Sequence, residues 1–266
     1  MSRRLKLSTR GLGAEPGIPG IASLSAWVAE HRGTLGDLTT YRIQESLSPQ
    51  LAAGIEMPTA GGTFMENRIM ECLRGVKDRK VTDELSLNTG PLAEDGYGMA
   101  AMKRNVWSAL PAPHFLGLSD AYYDDAYEWV DALARVYRTA MREMRDAGVA
   151  GHILISDAVN ENEVTALSRR EVVFFPRDPG SEGFKALFDR QRIVAVSRNT
   201  IRQALEHIEE YEIDQMILVD PDPDTINTAL LHFDADQLRA GGYCTDACTE
   251  YWKTIVQSAE FSQRTG

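Results

Sequence analysis

Four short apolar runs recur at nearly even intervals in the second half of the chain, and their spacing restricts the fold more than any other feature. HILIS begins at His152, VVFFP at Val172, IVAVS at Ile193 and MILVD at Met216, in steps of 20, 21 and 23 residues. Runs that are apolar throughout, rather than at alternate positions, suit strands buried on both faces, as in parallel sheets covered by helices. The intervening segments NEVTALSRR, EGFKALFDRQ and NTIRQALEHIEEYEID fit that requirement. In the last, Ile201, Ala204, Leu205, Ile208 and Tyr211 follow the 3.6-residue period of a one-sided helix. The pattern reads as a βαβαβαβ series.

The first half offers four further candidate strands: RLKLST from Arg4, TTYRIQ from Thr39, ELSLNT from Glu84 and HFLGLS from His114. After Asp120 the segment AYYDDAYEWVDALARVYRTAMREMRDAG predicts a long helix. Ala126, Trp129, Val130, Leu133, Val136, Tyr137, Ala140, Met141 and Met144 form its apolar stripe. Asp124 and Asp125 near its start, Arg142 and Arg145 near its end and Gly148 beyond it suit the helix dipole and a glycine cap. Four strands before His152 and four from it onward give eight βα units, and 266 residues lie close to the roughly 250 typical of a (βα)8 barrel. The expected fold is therefore α/β, a (βα)8 TIM-type barrel in a single domain over residues 1–266, with a doubly wound parallel open sheet as the alternative.

The formal charge of −11 opposes binding to a phosphate backbone, so nucleic acid is not an expected partner. No apolar run is long enough to span a bilayer, and MSRRLKLSTRG lacks the apolar stretch of a signal peptide, so a cytoplasmic protein with no membrane partner is expected. Cys72, Cys244 and Cys248 are too few for a disulfide framework. Cys248 is expected to share a buried helix face with Trp252 and Ile255. Met65, Met70, Met99 and Met102 could serve the core or a homo-oligomer interface.

In parallel α/β folds, ligands bind beyond the carboxyl ends of the strands. The residues there are Thr9 and Arg10, Gln44 and Glu45, Asn88 and Thr89, Ser119 and Asp120, Ser156 and Asp157, Arg177 and Asp178, Ser197 and Arg198, then Asp220 and Asp222. Arg10, Arg177 and Arg198, with Asn88, are the expected substrate-binding groups, because guanidinium matches carboxylate or phosphate geometry and stays charged. Asp120, Asp157 and Asp220 are the candidate catalytic acids and bases, and Asp157, Asp220 and Asp222 the candidate ligands of a divalent ion such as Mg2+. The competing reading is that Asp and Ser here cap the helices that follow.

Several signatures are missing. There is no Walker loop, no G-x-S-x-G elbow and no H-E-x-x-H, and GLGAEPG departs from the dinucleotide fingerprint at its third glycine. No lysine stands at a strand's carboxyl end, which disfavours Schiff-base chemistry, and His114 and His152 are expected at the starts of their strands. ILVDPDPDT is similar to the opening motif of the haloacid dehalogenase family at Asp220 and Asp222 only; the family's threonine is replaced by Asp224, and the remaining chain is too short for such a core. MRDAGVAGHILISD, over 144–157, resembles a segment of the uroporphyrinogen decarboxylase and corrinoid methyltransferase group, without the methyltransferases' zinc-binding His-x-Cys. The expectation is an enzyme acting on a small anionic metabolite, with lyase or decarboxylase chemistry first. A methyltransferase of that barrel group and a non-catalytic binding or assembly protein on a barrel scaffold are the alternatives.

Overall fold

The structure, a computed structural model, describes residues 2–31 and 36–264. Its frame is two four-stranded parallel sheets. In chain order their strands are β1 (Ser8–Ala14), β2 (Thr59–Gly61), β3 (Trp107–Pro111), β4 (Gly151–Ser156), β5 (Val172–Pro176), β6 (Ile193–Ser197), β7 (Gln215–Val219) and β8 (Leu238–Cys244). One sheet runs β2-β3-β4-β5 and the other β6-β7-β8-β1. A parallel bridge between Arg10 and Met57 joins them, with Gly11 N–H donating to Met57 O (2.9 Å), Met57 N–H to Thr9 O (3.0 Å) and Thr59 Oγ1 to Gly11 O (2.6 Å).

The helices are α1 (Ile21–Glu30), α2 (Leu38–Ala53), α3 (Glu66–Cys72), α4 (Gly90–Met102), α5 (Ala126–Asp146), α6 (Glu161–Leu167), α7 (Gly180–Arg190), α8 (Ile201–Leu205), α9 (Pro223–Ala229) and α10 (Cys248–Ser258). From α4 to α9 each packs on the next, and α2 packs on both α4 and α10. Alternation along the strands divides the core. Leu12, Ala109, Ile153, Ile155, Val173, Phe175, Ala195, Ile217, Val219 and Tyr243, drawn from both sheets, pack as one inner cluster. Their neighbours along the strands, such as Leu110, Leu154, Phe174, Val196 and Leu218, pack outward against the helices. Strands apolar at every position have both faces to bury, which is why the second-half runs were so legible.

All four second-half runs are strands. The first half differs. TTYRIQ lies inside α2, because Asp37 accepts from Thr40 N–H (2.9 Å) while Thr40 Oγ1 accepts from Asp37 N–H (2.9 Å); this reciprocal cap starts a helix that overrides the β-prone composition. ELSLNT ends the second strand of a hairpin, Leu73–Lys77 with Lys80–Leu87, in a separate sheet completed by Ser119–Asp120. HFLGLS is a 3-10 turn over Pro113–Leu116 followed by Gly117 in the left-handed region. RLKLST divides between Ser2–Lys6, which pairs antiparallel with Glu260–Arg264, and β1. The first half holds two strands of the parallel sheets outside these runs, β2, with three residues, and β3, which ends in Pro111; in the second half a fifth strand, β8, carries Gly241 and Gly242 and follows the four apolar runs.

Candidate active site at the carboxyl ends of the strands

β1 continues through Gly13 to Ala14, so the first residue beyond it is Glu15. Gly13 (φ +118) and Gly61 (φ +93) let the strand ends converge: a Cβ on Gly13 would meet Ala109 Cβ at 2.7 Å, and one on Gly61 would meet Ala109 O at 2.5 Å. Glu15 Oε1 accepts from Thr63 N–H (2.5 Å), from Thr63 Oγ1 (2.8 Å) and from the Tyr243 hydroxyl, and Glu15 Oε2 lies 3.4 Å from Arg42 Nη2. Arg42 also donates to Pro16 O and stacks over Phe64 at 4.2 Å. Tyr243 is buried against Phe175 (ring centroids 6.0 Å). Burial and the Glu15 charge push its hydroxyl well above the ordinary range, and Arg177 acts in the opposite direction. Tyr243 therefore stays protonated and donates to Glu15.

On that rim Asp157 follows β4 and pairs with Arg177, which follows β5; both are exposed. Parallel pairing continues past the strand ends, with Arg177 N–H donating to Ser156 O (2.9 Å) and Asp178 N–H to Asp157 O (3.0 Å). Asp220 follows β7 with φ +50, a left-handed conformation that aspartate tolerates better than most residues. It accepts a short hydrogen bond from the Tyr251 hydroxyl of α10. Gly242 makes this contact possible, since a Cβ there would collide with the Tyr251 hydroxyl. Partial burial pushes the Asp220 carboxyl above the ordinary aspartate range, against the Tyr251 hydrogen bond and the nearby Arg198 charge. At the end of β8, Cys244 and Cys248 are joined in a disulfide (Cα–Cα 5.7 Å), where the sequence led us to expect Cys248 as a packed core thiol. A strand end and the first residue of the following helix bring the two thiols within bridging distance. Trp252 and Ile255 are buried as expected.

The expected site residues scatter more than the sequence suggested. Arg177, Asp157, Asp220 and Arg198 stand at carboxyl ends of the parallel strands. Arg10 does not: it is buried (2% exposed), stacks over Trp107 at 4.0 Å and donates to Gln215 Oε1 at 3.3 Å, both at the opening residues of their strands. Reading β1 as ending at Thr9 put Arg10 on the rim; the strand runs on to Ala14, which leaves Arg10 in the interior. Its burial lowers the guanidinium pKa to about 10, with Arg239 adding to the shift. Asn88 is exposed beyond the separate hairpin, and Asp120 caps a local turn by accepting from Tyr122 N–H (3.0 Å) and Tyr123 N–H (3.1 Å). Neither joins Asp157 and Asp220. Asp222 caps α9 through Thr225 N–H (2.8 Å) and Thr225 Oγ1 (2.7 Å). Among the described residues no group of three or more His, Cys, Asp or Glu side chains is placed to hold a metal ion, so Asp157, Asp220 and Asp222 do not form a ligand set. His114 follows β3 rather than opening a strand, and its Nδ1 lies 2.8 Å from Glu163 Oε2.

The sequence reading missed Glu15, Tyr243, Arg42 and Tyr251. The signal for Glu15 was GLGAEPG itself, a glycine-rich strand end followed by an acid. Tyr243 and Tyr251 could be found only with β8 in place.

No protein-family model matches the sequence, and no curated protein matches it in sequence. Solved structures do match in fold. A B12-independent methionine synthase from Shewanella sp. W3-18-1, in complex with selenomethionine, has a TM-score of 0.65 and 17% identity over 96% of this chain and 96% of its own. A putative vitamin-B12 independent methionine synthase from Listeria monocytogenes gives a TM-score of 0.65 and 16% identity over 96% and 95%, and a methyltransferase from Methanosarcina mazei gives 0.51 and 12% over 96% and 93%. The likeness is one of fold. It covers nearly the whole of each chain, and the shared architecture is α/β with parallel sheets. No helix among the described residues is long and apolar enough to cross a membrane.

Proposed function

We propose that the two sheets are halves of one (βα)8 barrel and that the chain transfers a methyl group at the mouth formed by Glu15, Tyr243, Arg177, Asp157 and Asp220. The end-to-end likeness to methionine synthases and a methyltransferase carries this reading. The lyase-type chemistry expected first finds no support in those likenesses. The zinc-binding His-x-Cys of the methyltransferase group is missing, and no substitute donor set is present among the described residues. The reading therefore assigns the proton handling to side chains of this chain. In this reading Asp220, which stands at the end of β7 with its carboxyl pKa raised above the ordinary aspartate range, takes the proton of an acceptor thiol. In this reading Arg177 binds a substrate carboxylate by exchanging its surface pairing with Asp157. Glu15 and Tyr243 fix the opposite wall.

The test is a calorimetric titration with methionine and selenomethionine. The proposal expects saturable one-to-one binding that Arg177→Ala weakens by about tenfold or more, the size of a lost charged hydrogen bond. Absence of binding to the folded protein contradicts it. One observation favours a second reading, a non-catalytic binding scaffold: Arg177, Asp220 and Asp222 all have partners within the protein. That reading predicts binding without turnover.

A further inference from the structure

At the amino ends of the strands, away from the proposed mouth, the molecule gathers positive charge against its overall balance of −11. Arg135, Arg138, Arg142 and Arg145 form a stripe along α5, and Arg169 and Arg170 stand just before β5; together they line a cavity of about 650 Å3. Glu171 is the one acidic residue in that lining among the described residues. Arg145 lies 3.5 Å from Glu171 and Arg142 3.2 Å from Glu143, Arg135 and Arg138 share Asp131 at 3.3 and 3.0 Å, and Arg135 also lies 3.8 Å from Glu84. No ion pair to Arg169 or Arg170 occurs among the described residues. Exposed pairs of this kind contribute about 0–1 kcal/mol and yield readily to a better anion.

The floor of the cavity is different in character. Met141, Leu167 and Val172 supply an apolar surface, and beside them lies His152, fully buried, with neither ring nitrogen hydrogen-bonded among the described residues. Burial, with a smaller contribution from the Arg145 charge, lowers the imidazole pKa to about 3, so the ring is neutral at physiological pH and offers one donor and one acceptor. An unmet buried polar group costs about 1–3 kcal/mol, which a ligand's polar group would recover.

We propose that this cavity is a binding site for a small organic phosphate. Its phosphate is held by the arginine stripe, its apolar body rests on Met141, Leu167 and Val172, and a polar atom of that body meets His152. Guanidinium forks match phosphate oxygens in pairs, and the volume lies within the range of small-molecule pockets. Nothing in this site belongs to the mouth, so the inference stands apart from the methyl-transfer reading.

The test is a titration with phenyl phosphate and with inorganic phosphate at about 0.15 M ionic strength, where long-range attraction is screened. Phenyl phosphate is expected to bind one-to-one and about tenfold more tightly than inorganic phosphate, since its ring covers the apolar floor. The double variant Arg142→Ala/Arg170→Ala, both exposed positions, is expected to weaken binding by about tenfold or more, and Arg198→Ala at the other face to leave it unchanged. Equal affinities for the two anions would remove the organic ligand from the proposal. Absence of saturable binding, or a loss with Arg198→Ala in place of the arginine-stripe variant, would overturn it.

Discussion

Asp220 concentrates the residue-scale features of the proposed site: a left-handed backbone, a carboxyl pushed up by partial burial and a hydrogen bond from Tyr251. Asp220→Asn is expected to abolish methyl transfer while keeping the melting temperature, which turnover and thermal unfolding measured on one preparation would show. The base must be ionised to act, so the wild-type rate should fall as pH drops through the raised Asp220 pKa. Gly242→Ala tests the same contact indirectly. The new Cβ displaces the Tyr251 hydroxyl, and the activity limb should shift in pH while methionine binding persists. His114 titrates with a consequence for stability. Its hydrogen bond to Glu163 raises its pKa, so the stability it contributes is full below the unfolded value of 6.5 and is lost as pH rises through the folded value. Glu163→Gln should bring the His114 pKa back toward 6.5 in an NMR titration. Arg10 shows how residue identity alone misleads: β1 runs on to Ala14, so an arginine that follows the apolar run lies in the interior and not at the mouth.

Among the elements, the joint between α2, α3 and α4 depends on Arg68. Its side chain is fully buried and meets Asp95 (2.7 Å), Asp37 (2.8 Å) and Glu71 (2.7 Å), so it ties the cap of α2 to both other helices. Arg68→Ala leaves Asp95 buried without its partner and is expected to cost about 3–5 kcal/mol in urea unfolding. A loss under about 1 kcal/mol would mean that water replaces the pair. The same elements mark the limit of what the sequence disclosed. Second-half strands were legible because both faces are covered and every position is apolar. α5 was legible because its stripe is long and its cap, Asp125, precedes it directly. β2 was not, since three residues carry no periodicity. Its pairing also depends on Gln50 of α2, whose amide donates to Thr59 O (2.7 Å) and accepts from Thr59 N–H (2.9 Å), a contact between residues of different elements. The site followed the same division: Asp157, Arg177, Arg198 and Asp220 lie after the legible strands, whereas Glu15 lies beyond the misplaced end of β1, Tyr243 on β8 and Tyr251 on α10.

At the scale of the molecule the two ends of the strands carry different chemistry, mixed charges at the carboxyl ends and an arginine stripe over a neutral histidine at the amino ends. His152 couples the latter to stability. A depressed imidazole pKa means that, between about 3 and 6.5, the unfolded chain binds a proton that the folded one excludes, so stability falls as pH falls through that window. His152→Leu should flatten the pH dependence of urea unfolding between those values, and an unchanged slope would place the acid sensitivity in other groups. The central claim, methyl transfer without a protein-bound metal set, is tested most directly by 13C NMR. Three 13C-methyl donors, an N-methyl pterin, an S-methyl sulfonium and methylcobalamin, are each offered with a thiol acceptor, and the 13C-methyl thioether signal is followed with wild-type protein and with Asp220→Asn. The account predicts a thioether signal from at least one donor with the wild type, lost in the variant and retained after chelator treatment. No signal from any donor, or a signal indifferent to Asp220, would contradict it.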